Sequence, residues 1–407
     1  MRWNDALLDT VRRTGDPLAD EVVRSALAKG EAAAVNQLLA HLVRNEGILP
    51  RPDDAALDPA LGALLADYVA RSGQLPAWAD PDRIARGEAV FQRWGLQGFM
   101  LLLFASLPAS YALRDVAAVL GITQRLIQHA HRRILETTQL ALAVMARDGL
   151  APRGHGVAVL QKVRLMHAAM RVLILRAPST APAAPPSSLA DALAAHAWDP
   201  AHGCPIGQEA LAAVLLTFSH VVLEGWRRLD IALDPDEADG YVHCWNVAGA
   251  LLGIREELLP LGGAEEAAAL YERLTARGVG PSAAAALLTE RLLEFGRQLA
   301  PRPHALFRPL ARPMGRTLMR QVLPEATLRA VALPPPSRRD ERVRATVLQA
   351  MRVVNLFRGE LIRKDPVARW LFGELSRIAL RRLRRLSRGD GRASFAIPDS
   401  LVDSWKG

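Results

Sequence analysis

The stretch Lys162-Val163-Arg164-Leu165-Met166-His167-Ala168-Ala169-Met170-Arg171 sets one histidine between two arginines. In a helix, residues three and four apart are neighbours, so Arg164, His167 and Arg171 share one face. From Leu160 to Leu175 the surroundings are apolar almost all round, the pattern of a buried helix. Buried charge without partners is costly, so this stripe must be satisfied by something. A neutral imidazole is a metal ligand, and arginines hold carboxylates in fork geometry. Haem would satisfy both, with iron on His167 and propionates against Arg164 and Arg171. A core histidine beside two structural ion pairs would satisfy them equally well. The chain has no Cys-x-x-Cys-His attachment site, so a haem here would be non-covalent and b-type.

Other residues offer weaker chemistry. Arg132-Arg133-Ile134-Leu135-Glu136-Thr137-Thr138 puts Arg133, Glu136 and Thr137 on one helical face, where an ordinary one-turn ion pair is the simpler reading. Tyr241-Val242-His243-Cys244-Trp245-Asn246-Val247-Ala248-Gly249-Ala250-Leu251-Leu252-Gly253-Ile254 aligns Gly249 and Gly253 on an expected helix face. Glycine costs helix stability, so this line marks either a tight helix crossing or a flat ligand. His220 has only Glu224 at helical spacing and reads as structural. His202, Cys204, His243 and Cys244 match no zinc spacing. There is no phosphate-binding glycine loop, nucleophile elbow or internal repeat.

The elements that must position these residues read as helices. Ala, Leu and Arg dominate the 407 residues, half of the chain is hydrophobic, and alternating Val/Ile runs are scarce. Helices are expected over Asp5 to Arg13 and Leu18 to Val43, broken at Gly15-Asp16-Pro17, with a turn at Leu49 to Pro52. Another runs from Pro59 to Ala70 behind an Asp58 cap. Asp80 caps a helix with Pro81 at its first position and Gly95 as its stop. Gly98 to Leu107, Tyr111 to Leu120 (ended by Gly121) and Thr123 to Met145 follow. Gly154-His155-Gly156 opens the His167 helix and Pro178 closes it, before a Pro/Ala/Ser-rich linker over Ala177 to Ser188. Gln208 to Leu229 reads as one long apolar helix. Three parts result: a helical extension over 1–75, a core over 76–365, and a basic helix (Arg381 to Arg388) with a docked tail at Phe395-Ala396-Ile397-Pro398 over 366–407.

Three pieces together, 164–171, 241–253 and Arg132 to Thr137, resemble the latex-clearing-protein (rubber oxygenase) superfamily, which includes the fungal endoplasmic-reticulum-bound oxygenase MpaB. The resemblance runs from about Arg83 to about Pro260. It implies an all-α, globin-like core holding b-type haem, and oxidative cleavage of carbon–carbon double bonds in hydrophobic isoprenoids by dioxygen. Carried over by position, His167 is similar to the proximal ligand, Arg164 and Arg171 to its accompanying arginines, and Arg133 and Thr137 to polar residues of the distal helix. Rubber-cleaving members carry a lysine where this chain has Glu136, a departure that makes rubber itself a doubtful substrate; Glu136 is still expected to be the polar or proton-handling group above the iron, because its helix precedes the His167 helix and consecutive helices usually pack together. Their distal acid would fall near Ala117.

The net charge of +9 permits contact with nucleic acid or with an anionic membrane surface. No nucleic-acid partner is expected, because leucines interleave the basic run as on a solvated helix face. A haem sensor or carrier without turnover, and a cofactor-free basic nucleic-acid binder, are the competing classes. Two cysteines form no disulfide framework and suit a reducing compartment. No apolar leader opens the chain, and the run from Phe99 to Leu107 is too short to span a bilayer, so a cytoplasmic protein acting on a lipid-like or polyisoprenoid substrate is expected.

Overall fold

The structure, a computed structural model, describes residues 2–28, 59–126, 130–176, 198–299, 308–365 and 367. The all-α expectation holds there: one isolated bridge, between Leu113 and Val279, is the only extended pairing among the described residues. The expected second half of the Leu18 to Val43 helix, the turn at Leu49, the Asp58 cap, the Ala177 to Ser188 linker, and the basic helix and tail beyond 367 lie outside the described residues.

The N-terminal part forms α1 (Asp5–Arg12), α2 (Pro17–Ala28) and α3 (Pro59–Ser72). Asn4 caps α1 by accepting from the Leu7 N–H at 2.9 Å. Asp80 caps α4 (Pro81–Leu101) as expected, accepting from the N–H groups of Asp82 and Arg83 at 2.8 and 3.2 Å. Gly95, however, does not stop this helix. The chain kinks at Trp94 (φ −109, ψ 21), passes Gly95, and continues through a π-helical turn, Leu102–Ser106, into α5 (Leu107–Tyr111). Residues 102–111 are all buried, so the backbone must keep its hydrogen bonds internal. The wide π turn directly precedes Pro108, which has no N–H to return to the preceding turn.

Next come α6 (Arg114–Leu126), α7 (Ala130–Val144) and α8 (His155–Arg176), the last carrying His167. Gly121 lies inside α6 instead of ending it. A Cβ there would sit 3.1 Å from the Cβ of Ala284 on α13 (Ala283–Leu299), so this glycine serves a close helix approach. The expected Thr123 to Met145 helix accordingly gives its first residues to α6. α7 packs along α8, joined by a turn in which Asp148 and Arg153 adopt positive φ (58 and 63). Buried Glu88 fastens that turn by accepting from the N–H groups of Asp148 and Gly149 at 3.0 and 3.1 Å.

The expected single helix from Gln208 to Leu229 is two, α9 (Gln208–Phe218) and α10 (His220–Arg228), broken at Ser219 (φ −95, ψ −77). Hydroxyls cause the break: Thr217 Oγ1 donates to the Val214 carbonyl at 2.8 Å and Ser219 Oγ to that of Leu215 at 3.3 Å. The span Gln208–Arg228 is long and apolar enough to cross a membrane, yet it is mostly buried inside the protein and serves as core. α11 (Pro235–Leu251) opens with an Asp234/Glu237 capping box and ends before Gly253, which turns with φ +84. Gly249 and Gly253 therefore do not share a helix face. Gly249 does serve a close approach, since a Cβ there would lie 2.6 Å from Leu215 Cδ2 of α9; the backbone crossing is between α4 and α11, where a Cβ on Gly87 would meet the Gly240 carbonyl and lie 2.7 Å from Cys244 Sγ. α12 (Ala264–Gly278), α13, α14 (Arg308–Val322), α15 (Glu325–Ala330) and α16 (Arg338–Lys364) complete the described fold.

A large core surrounds Phe91, Trp226, Tyr241 and Trp245, and takes in Leu8 and Val11 of α1. A smaller one joins α2, α3 and α8 through Val23, Leu65, Tyr68, Leu165, Ala168 and Ala169. Val in place of Gly87 must displace backbone at the α4–α11 crossing, and Gly87→Val is expected to cost about 2–3 kcal/mol by denaturant unfolding. Gly359, with nothing within 4 Å of a built Cβ, is the contrast: Gly359→Ala should be neutral or stabilise by roughly 0.5–1 kcal/mol in the same measurement.

Candidate functional site

His167 sits at the edge of the buried stripe of α8. Leu160, Leu165, Ala168 and Ala169 on one side are fully buried. Val159, Val163, Met166 and Met170, which follow one another at helical spacing on the other side, are only half-buried. His167 is itself half-buried overall, with its Nδ1 atom out of solvent. The arrangement is an imidazole bordering an apolar strip that the described residues leave incompletely covered.

Both neighbouring arginines are committed to protein groups. Arg164 forks onto Asp16, donating from Nε to Oδ2 at 2.6 Å and from Nη2 to Oδ1 at 2.8 Å. Burial works against its charge, and the Asp16 carboxylate more than compensates, so its pKa lies above the ordinary value. Arg171, 2% exposed, pairs through Nη1 with Asp20 and donates from Nε and Nη2 to the Pro205 and Ile206 carbonyls at 3.0 and 2.8 Å. Of the two readings of the stripe, this is the geometry of structural ion pairs.

The second distinctive stretch meets the first at this joint. A Cβ on Gly253 would lie 2.5 Å from Asp16 Oδ2 and 2.6 Å from Arg164 Nε, so glycine is required both for its φ and for the room. Gln208, 1% exposed, donates from Nε2 to the carbonyls of Gly15 and Gly253 at 3.0 and 2.9 Å and accepts from the Arg255 N–H at 2.9 Å. Asp16, Asp20 and Gln208 escaped the sequence reading. The available signal was two carboxylates four apart at a helix start, which matches the spacing needed to face one neighbouring helix.

The distal candidates lie on α7, which packs on α8. Glu136 is exposed and Thr137 half-buried; Arg133 belongs to the same helix, and its side chain lies outside the described residues. Ala117, the place expected for a distal acid, is fully buried on α6. The nearby Asp115 is engaged by Arg12 and by His202 Nδ1, at 2.9 and 2.7 Å.

His243 and His220 have structural work. His243 Nε2 accepts from the Asp80 N–H at 2.9 Å, fastening α11 to the start of α4. Burial pulls the His220 pKa below its ordinary value, and its ring lies 5.0 Å from that of Tyr271. Cys244 Sγ donates to the Ile84 carbonyl and Cys204 Sγ to that of Pro205, so the four His/Cys residues have separate partners. No group of three metal-ligating side chains occurs among the described residues. An open surface cleft of about 590 Å³ lined by Arg86 and residues 234–237 contains none of the candidates.

A single imidazole beside an apolar strip is the donor set of one axial ligand to a flat, largely apolar macrocycle, and to that extent these residues fit haem. The arginines do not fit the propionate role, because carboxylates of the chain already hold them. Fold and site thus define an all-helical protein whose central histidine-bearing helix is clamped by its own N-terminal segment. Residues 91–356 match the family of the ER-bound oxygenase mpaB/B'/Rubber oxygenase catalytic domain, and the chain belongs to that family. It is similar to the Rubber oxygenase of Streptomyces sp. (strain K30), 25% identical over 253 residues, which are 60% of this chain and 54% of that protein. The chain thus matches only about half the length of that relative. A solved structure of Latex Clearing Protein LCP in the closed state superposes with a TM-score of 0.69 at 22% identity, covering 95% of both chains, and shares the fold.

Burial, then the charge of Arg83, pulls the His243 pKa from 6.5 down to about 4. Between those values the unfolded chain binds the proton that the folded chain refuses, so stability falls as pH drops through this window and is fully present above it. Thermal melts should lose up to about 3 kcal/mol from this residue between pH 6.5 and 4, and His243→Gln, which can still accept from Asp80, should flatten that part of the profile.

Proposed function

We propose that this protein is a b-type haem-dependent oxygenase that uses dioxygen to cleave carbon–carbon double bonds in a hydrophobic, isoprenoid-like substrate. The observation that carries the reading is His167, set beside a half-buried apolar strip in a chain of this oxygenase family. The relative named Rubber oxygenase supports an isoprenoid substrate class. The core around His167 is read as globin-like on the resemblance of its motifs alone.

When bound, the haem would supply dioxygen binding and activation. His167 would hold it from one side, and the Val159/Val163/Met166/Met170 strip would exclude water from an apolar ligand. Glu136, Arg133 and Thr137 are the proposed polar set on the adjoining helix. Glu136 would accept a proton from the allylic position of a substrate, and its exposure lets it return that proton to solvent. The protein would meet its lipid-like substrate in the cytoplasm or at a membrane surface.

Protein expressed with ample haem supply should show a Soret band. His167→Ala should abolish or sharply reduce it, and His220→Ala and His243→Ala should leave it; a colourless wild-type protein overturns the reading. Dioxygen uptake with an isoprenoid substrate separates an oxygenase from a haem carrier. Glu136→Gln should keep the spectrum and lower turnover about 10²-fold or more, the usual range for removing a general base.

A further inference from the structure

We infer that Asp16 and Asp20 are positioning residues of the His167 site: the motif arginines are held by the chain's own N-terminal carboxylates, and these, not carboxylates of a ligand, orient the helix that carries His167. The inference rests on the proposed ligand role of His167 for its functional consequence.

Arg164 and Arg171 are seven residues apart, about 10 Å along the α8 axis, and His167 lies between them. Asp16 takes the first arginine and Asp20 the second. Anchoring on both sides of His167 blocks rotation of α8 about its axis as well as sliding along it. The carboxylates are in turn fixed: the Asp16 N–H donates to Asp20 Oδ2 at 3.1 Å and the Ala19 N–H to Asp16 Oδ1 at 3.5 Å. Asp16 is 3% exposed and Asp20 8%, so neither pair is weakened by solvent. The Gln208 bridge and the Pro205 and Ile206 carbonyls close the joint from the opposite side. Both aspartates precede residue 91, where the match to the catalytic-domain family begins. The site therefore depends on a segment outside that domain.

The two possible partners of Arg171 predict opposite results. If Asp20 and Arg171 act as one clamp, Asp20→Asn and Arg171→Gln damage the same thing, and the double variant is no worse than either single. If Arg171 serves a ligand carboxylate, Asp20→Asn frees it for that task.

The experiment uses the full chain loaded with haem, and follows haem loss to an excess of an apo-haemoprotein scavenger. Each single variant is expected to lose haem at least tenfold faster than wild type, the double variant at the same rate as the singles, and Asp20→Glu is expected to recover most of the loss. Arg273→Gln, which cuts the pair to Asp5 elsewhere on the N-terminal segment, should leave haem loss unchanged. Asp20→Asn at the wild-type rate with Arg171→Gln faster, or effects that multiply, overturns the inference; so does an equal effect of Arg273→Gln. If wild type takes up no haem, the ligand reading fails and hydrogen exchange over 160–172 decides the clamp. Equal, non-additive increases there in Asp20→Asn and Arg171→Gln support it, and unchanged exchange overturns it. Should the Asp20 pair of variants precipitate, Asp16→Asn and Arg164→Gln give the same cycle.

Discussion

Two guanidinium–carboxylate pairs, closed off from water, are the constraint on which the centre of this molecule depends. Desolvating four charges is expensive, and buried pairs often contribute little net stability against an apolar alternative. What they impose is geometry. A Leu or Val at position 164 or 171 would tolerate a small rotation of α8, whereas the bidentate fork of Arg164 and the three directed hydrogen bonds of Arg171 tolerate almost none. Gly253 is glycine because the Arg164–Asp16 pair occupies the place of a side chain. Gln208 is buried because the carbonyls of Gly15 and Gly253 must be satisfied where α2 and the end of α11 converge. Residues far apart in the chain are thus specified by one electrostatic joint.

A second polar fastening sets the partner helix. Glu88 is buried, which pushes its pKa up, while the N–H groups of the α7–α8 turn pull it back. Its helix, α4, crosses α11 at Gly87 and Gly240, next door to that carboxylate. The hairpin of α7 and α8 is consequently tied to the same helix that pins α11. The proposed distal and proximal helices thus share one frame.

The helical character of the chain was legible because periodicity and caps are local, and Asp80 with Pro81 shows this best. Helix ends were legible only where the backbone itself decided them. Gly95 and Gly121 read as stops, but each is carried through by tertiary packing, against which a glycine's intrinsic preference is weak. Ser219 breaks a helix that looked continuous because hydroxyl competition for carbonyls leaves the hydrophobic pattern intact. In the site, the stripe of Arg164, His167 and Arg171 was visible, and its need for carboxylate partners followed from burial alone. Which carboxylates was not legible. Asp16 lies 148 residues from Arg164 in sequence, and nothing local connects them.

The assignment of those carboxylates changes what the site asks of a ligand. A buried arginine already forked onto an aspartate has little to gain from a second carboxylate, because the incoming group would have to be desolvated and would repel the first. A flat ligand with one apolar edge and one dianionic edge therefore does best with its apolar edge on the Val159/Val163/Met166/Met170 strip and its charges in water. Among the described residues that strip is only half-covered, which leaves room for such an orientation. His167 stands where the strip meets the clamped stripe. The pairs at Asp16 and Asp20 anchor its helix on either side of it, so the charged groups fix the helix while the half-buried strip beside His167 stays apolar.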